Sequence, residues 1–488
     1  MRFPRAAGIL LHPTSLPGPH GIGDLGPEAH RFLDILADAG LKIWQMLPLG
    51  PTGFGDSPYQ CFSAFAGNPL LIHAAGAAGA SSTDVVDFDR VIPHKRRLLA
   101  EAVAAFTPDD AYRAFATTHA DWLGDFALFM ALKEAHEGAV WHRWEHGAAH
   151  RDPVSLTDWR ERLRPRIEAL QVEQYLFFHQ FGALKRAAAE RGIRIMGDLP
   201  IYVAHDSADV WAHQELFQLN DDGSLRVQAG VPPDYFSATG QLWGNPLYDW
   251  EAARRTGYAW WIRRMKSAFA EFDLVRIDHF RGFESYWEVP GDAVTAVDGQ
   301  WVPGPGAELF DAIAEALGPL PIVAENLGMI TPAVEALRER CRFPGMSILQ
   351  FAFGADGHAN EFLPHNYPRE RVVYTGTHDN DTTLGWWHAN GAGDSTRSAE
   401  AIAKEKAFAM QYLDTDGREM HWSLIRSAFA SVADTALVPM QDVLGLGAEA
   451  RMNFPGRQHG NWRFRFRWEQ LTPEIRARLQ TLVRLYGR

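Results

Sequence analysis

Cysteine is almost absent: Cys61 and Cys341 are the only two in 488 residues. That is too few for a disulfide framework and fits a reducing compartment. No apolar run reaches the roughly 18 residues that a membrane-crossing helix needs. Near the N-terminus, AAGILL supplies only six apolar residues before His12-Pro13, short of the roughly 7–15 of a secretory signal core. Basic residues are the minority, 47 against 60 acidic, which leaves a formal charge of −13. A surface that acidic repels phosphate backbones and excludes nucleic acid and anionic membrane as expected partners. There is no internal repeat, no low-complexity tract and no linker that cuts the chain into independent parts. These absences together predict a cytoplasmic, globular protein.

Aromatic side chains are abundant, with 17 Trp, 12 Tyr and 29 Phe. Most belong in a core, but broad rings with a polar handle also suit the weakly polar faces of sugars. Eight short apolar runs end in polar or turn residues: 8–11, 43–49, 194–203, 274–280, 321–326, 346–353, 372–379 and 436–445. Helix-patterned stretches such as 28–40, 259–272 and 307–318 lie between them. Strands alternating with helices eight times predict an α/β fold, a (β/α)8 barrel spanning residues 1–488. Two connections exceed a simple crossover. Residues 67–185, approximately, are expected to form a largely helical inserted subdomain. Residues 204–258, approximately, hold polar Gly/Pro-rich sequence with many aromatics and are expected to form an excursion over the barrel mouth.

Reactive groups of such a barrel sit at the C-terminal ends of its strands. There the sequence places Asp198, the run Arg276-Ile277-Asp278-His279, then Glu325, and then His378-Asp379. Crowded carboxylates cost stability and are kept mainly for metals or acid/base work. A lone strand-end aspartate is often only a helix cap, and Asp442 is read as structural. Zinc and calcium ligand spacings are missing, and Arg276 shares a strand face with Asp278, where its charge would repel a cation. No metal is expected. An ionised aspartate beside a carboxyl that can stay protonated is the pair that glycoside chemistry uses. Asp278 is then the nucleophile, Glu325 the general acid/base, and Asp379 the group that stabilises a cationic transition state. His378 is a candidate donor to a sugar hydroxyl. Asp198 is either a sugar contact or a structural tie. Gly21–Gly26 fits a dinucleotide-binding G-x-G-x-x-G, but a proline-bearing loop separates it from any strand, against that reading.

The chain resembles the 4-α-glucanotransferases called amylomaltases or disproportionating enzymes, relatives of the α-amylases. The likeness is carried in order by 8–26, 44–60, 197–212, 230–250, 275–290, 324–328, 375–382 and 451–465. It implies the same roles for Asp278, Glu325 and Asp379, sugar contacts by Arg276, His378 and Tyr59, and no organic cofactor. It also implies a lid over the acceptor sites from Asp234 to Asn245, with Tyr235, Phe236 and Trp243 as stacking residues. The expected partners are an α-1,4-glucan donor and a glucose or maltooligosaccharide acceptor. The expected reaction is retaining transfer, and an α-1,4-glucan hydrolase is the alternative that the residues alone leave open.

Overall fold

The computed structural model describes residues 3–76, 84–233, 239–354, 360–390 and 398–488. In chain order its strands are β1 (Ala6–Leu10), β2 (Ile43–Gln45), β3 (Arg194–Pro200), β4 (Val227–Val231), β5 (Gln241–Pro246) and β6 (Leu274–Asp278). They continue with β7 (Ser285–Pro290), β8 (Gln300–Pro303), β9 (Ile322–Ala324), β10 (Gly345–Ile348), β11 (Arg371–Tyr374) and β12 (Thr435–Pro439). Eight of them form one parallel sheet in the order β10-β11-β12-β1-β2-β3-β6-β9. The two ends meet where the Ala324 N–H donates to the Pro344 carbonyl at 2.9 Å. The expected (β/α)8 barrel is the observed one.

The barrel strands are buried on both faces, and period-two alternation divides their side chains between two cores. Ala6, Ile43, Met196, Leu274, Val323, Met346, Val372, Tyr374 and Leu437 pack together inside the barrel. Their alternates, among them Ile9, Trp44, Ile195, Val275, Ile277, Ile322 and Val373, join the larger core shared with the helices. The barrel's bore tolerates no side chain at residue 8, where a Cβ would stand 2.3 Å from the Ile43 carbonyl oxygen.

Several strands end earlier than their apolar runs. Beyond them lie Glu325, the 377–381 loop and Asp442; the last sits in a short helix, Met440–Leu444, rather than on the final strand. Pro439 closes that strand, having no N–H to continue the ladder. The structural role expected of Asp442 fits its bonds: it accepts from the Thr383 N–H at 2.7 Å and from the hydroxyls of Thr375 at 2.5 Å and Thr383 at 2.8 Å.

Between β2 and β3 run the helices Phe88–Ala104, Asp110–Thr118, Leu123–Ala135, Pro153–Arg162 and Arg164–Glu190. The last serves the barrel as well, since Phe177, Phe181, Leu184 and Ala188 on it enter the main core. The 204–258 excursion contributes β4 and β5, which join β7 and β8 in an antiparallel sheet ordered β5-β4-β7-β8. Sequence reading did not anticipate that sheet. It brings β5 to the barrel mouth. Among the described residues no helix is long and apolar enough to cross a membrane.

Candidate active site

Strand register assembles the site. On the β3–β6 ladder Asp198 is paired with Arg276 and Pro200 with Asp278. On the β6–β9 ladder Ile277 is paired with Ala324, so Asp278 and Glu325 are the next residues along two adjacent strands. Because Leu274 points into the barrel, alternation turns Arg276 and Asp278 inward as well.

Arg276 stands between two carboxylates. Its Nη1 donates to both oxygens of Asp198, at 2.8 and 2.7 Å, and its Nη2 meets Asp278 Oδ1 at 2.8 Å. Burial disfavours the guanidinium's charge, but Asp198 and Asp278 outweigh it and hold the proton more firmly than usual. The Arg276 and Asp198 side chains are 4% and 0% exposed, whereas Asp278 is 28% exposed. Of the three, Asp278 is the most accessible from the barrel mouth. Burial raises the Asp198 carboxyl against the pull of Arg276, and the Tyr59 hydroxyl donates to its Oδ2 at 2.9 Å.

Glu325 is the contrasting carboxyl. Burial, with Asp278 adding and Arg276 opposing, pushes it up to about 7. Its Oε2 accepts from the His279 N–H and its Oε1 from the Leu327 N–H, both at 2.8 Å. These bonds aim the group without ionising it. His279 adopts a left-handed conformation, φ 53° and ψ 49°, unusual for a residue with a Cβ and common where function constrains the backbone.

Asp379 arrives from the loop after β11. Its Oδ1 accepts from Asn453 Nδ2 at 2.6 Å, its carbonyl from Arg451 at 2.6 Å, and His378 Nε2 lies 3.4 Å from its Oδ2. The His378 ring is stacked on Tyr59 with centroids 5.1 Å apart and a 12° interplanar angle. Trp462 flanks both rings, 5.7 Å from Tyr59 and 6.0 Å from His378. Asn453, Arg451 and Trp462 were not among the expected site residues. Their only signal was the tail's likeness to the glucanotransferases, since contact across so much chain leaves no local pattern.

On β5, Trp243 meets the His279 ring edge to face at 4.8 Å and 86°. The amide of Asn245 is engaged within the protein: it donates to the Val203 carbonyl at 2.8 Å and accepts from Gln60 Nε2 at 3.1 Å. Gln60 also reaches the Trp243 carbonyl at 3.3 Å, tying β5 to the segment that carries Tyr59. Asp234, Tyr235 and Phe236 lie outside the described residues. Among the described residues no group of three or more His, Cys, Asp or Glu side chains is placed to hold a metal ion.

Chemically, the floor of the mouth carries one guanidinium against two carboxylates, with a protonatable carboxyl next to the exposed one. Its net negative field suits positive charge developing on a ligand. The family model for 4-alpha-glucanotransferase matches residues 11–472. The 4-alpha-glucanotransferase of Thermus thermophilus is 51% identical, covering 99% of both chains. That of Synechocystis sp. is 50% identical over 99% of this chain and 98% of its own. The amylomaltase of Streptococcus agalactiae, solved in complex with acarbose, superposes with a TM-score of 0.94 at 40% identity and covers 99% of each chain. Sequence and architecture agree, and the chain belongs to the 4-α-glucanotransferase family.

Proposed function

We propose that the enzyme disproportionates α-1,4-glucans by a double displacement centred on Asp278. The carrying observation is the pair on neighbouring strands: Asp278 bound to Arg276, and Glu325 pushed up to about 7 beside it. Adjacent strands lie about 4.8 Å apart, close to the roughly 5–5.5 Å carboxyl separation of retaining enzymes. An Asp278 oxygen attacks the anomeric carbon while Glu325 gives its proton to the glycosidic oxygen. The bond to the leaving glucan breaks, and the donor segment stays as a β-glycosyl ester. Glu325, now ionised, takes the proton of an incoming 4-hydroxyl. That oxygen attacks the anomeric carbon and the ester bond breaks, so two inversions restore the α configuration.

Asp379, held by Asn453, faces the developing oxocarbenium charge or grips ring hydroxyls. His378 and Tyr59 offer a stacked wall for the sugar that carries it. Asp198 acts through Arg276, since its side chain is fully buried and engaged. Transfer outruns hydrolysis where the ester is shielded and an acceptor hydroxyl is positioned; Trp243 on β5 supports that reading. The donor is an α-1,4-glucan, and the acceptor glucose or a maltooligosaccharide.

Incubation with maltotriose tests this. Maltotetraose and longer products with glucose as co-product are expected, and Asp278→Asn should lower turnover roughly 10³-fold or more while oligosaccharide binding persists by calorimetry. Glucose and maltose without longer chains would make the enzyme a hydrolase instead.

A further inference from the structure

His279 sits where three parts of the site meet, and nothing in the proposed reaction uses it. Its main-chain N–H ends on Glu325 Oε2 at 2.8 Å. Its ring receives Trp243 edge to face at 4.8 Å, with Tyr202 6.5 Å away on another side. Its backbone is held at φ 53°, ψ 49°, and its carbonyl accepts from the Gly282 N–H at 3.0 Å. Among the described residues no hydrogen bond is made by its ring nitrogens. The left-handed turn is what lets one residue do both things. It swings the N–H of residue 279 toward β9 while sending the side chain toward β5.

We infer that His279 is a positioning residue that couples the β5 edge of the antiparallel sheet to the acid/base carboxyl. The inference rests on the double-displacement reading of Asp278 and Glu325. The ring transmits the position of Trp243, and the N–H sets the orientation of Glu325. A ligand that presses on Trp243 is thereby felt at the proton donor, which links cover over the ester to readiness of the base for an acceptor hydroxyl. Burial holds the imidazole down to about 4, so it stays neutral at working pH. The charged groups around the pair are Asp278, Arg276 and Arg281.

Substitutions separate the two arms. His279→Gly accepts the left-handed backbone without strain, so the N–H to Glu325 stays while the contact with Trp243 is lost. His279→Val resists that backbone and displaces the N–H. His279→Phe restores a ring for Trp243. With maltotriose, the glycine variant should show a several-fold higher fraction of hydrolysis with the high-pH limb of kcat/KM in place, and phenylalanine should reverse that rise. The valine variant should lose about tenfold in kcat. Its high-pH limb should also move upward, because a carboxylate deprived of an N–H donor is a weaker acid. The same product ratio in glycine and wild-type enzyme, or the same pH limb in valine and wild-type enzyme with both folded by circular dichroism, would overturn the coupling. Failure of the underlying reading shows separately, as undiminished turnover in Asp278→Asn.

Discussion

Glu325 and Asp278 are both acidic residues at strand ends, yet their surroundings differ in the way the proposed reaction requires. Asp278 has a guanidinium in contact; Glu325 has burial and a neighbouring carboxylate. In the proposed cycle Glu325 enters protonated, so kcat/KM should fall as pH rises past about 7, a limb that Glu325→Gln should abolish along with most turnover. Stability carries the same signature. A carboxyl raised from 4.5 to about 7 binds more protons folded than unfolded in that window, so its contribution is full below pH 4.5 and is lost as pH climbs through 7. Measured against the parent, Glu325→Gln should therefore gain on the order of 1–3 kcal/mol of relative stability on going from pH 4.5 to pH 8. The same difference from the parent at both pH values would refute this. The residue types were legible in sequence because strand ends are where a barrel exposes chemistry. The carboxyl's elevated pKa was not, because it depends on burial and on strand pairing across some 50 residues of chain.

Among the elements, the antiparallel sheet β5-β4-β7-β8 changes how the mouth is built. The excursion carrying β5 is hydrogen-bonded into strands that follow Asp278, through pairs such as Gly230 with Trp287. Trp243 thus belongs to a sheet edge and is held by Gln60 from the opposite wall. Trp243→Ala should leave donor cleavage measurable and raise the hydrolysed fraction of maltotriose several-fold; an unchanged product ratio would remove shielding from the account. β7 and β8 escaped sequence reading for a physical reason. They are six and four residues long, too short for period-two alternation to stand out. The eight barrel strands did stand out, because burial on both faces writes each as an apolar run. Asn245 shows what likeness alone leaves out: its amide braces β5, donating to the Val203 carbonyl and accepting from Gln60.

The molecule as a whole is a cylinder with one seam. β1 and β12 are joined along five registered pairs from Ala6–Thr435 to Leu10–Pro439, whereas β9 meets β10 through the Ala324 N–H and the side chain of Asn326. That amide accepts from the Met346 N–H at 2.8 Å and donates to Glu335 at 2.6 Å. One side chain does there what a strand ladder does elsewhere. Asn326→Ala strands a buried N–H and should cost about 1–3 kcal/mol in urea unfolding. Deuterium should enter the amides of Ile322–Ala324 and Gly345–Ile348 sooner than those of β1 and β12, since partial opening starts where the fewest bonds must break. Equal protection around the ring would contradict it. Glu325, the proposed proton donor, is mounted on the lip of that seam. Its aim comes from the N–H groups of His279 and Leu327, neither of which belongs to β10, so loosening the seam should leave the carboxyl's bearing intact, as a door that swings keeps its latch on its own leaf.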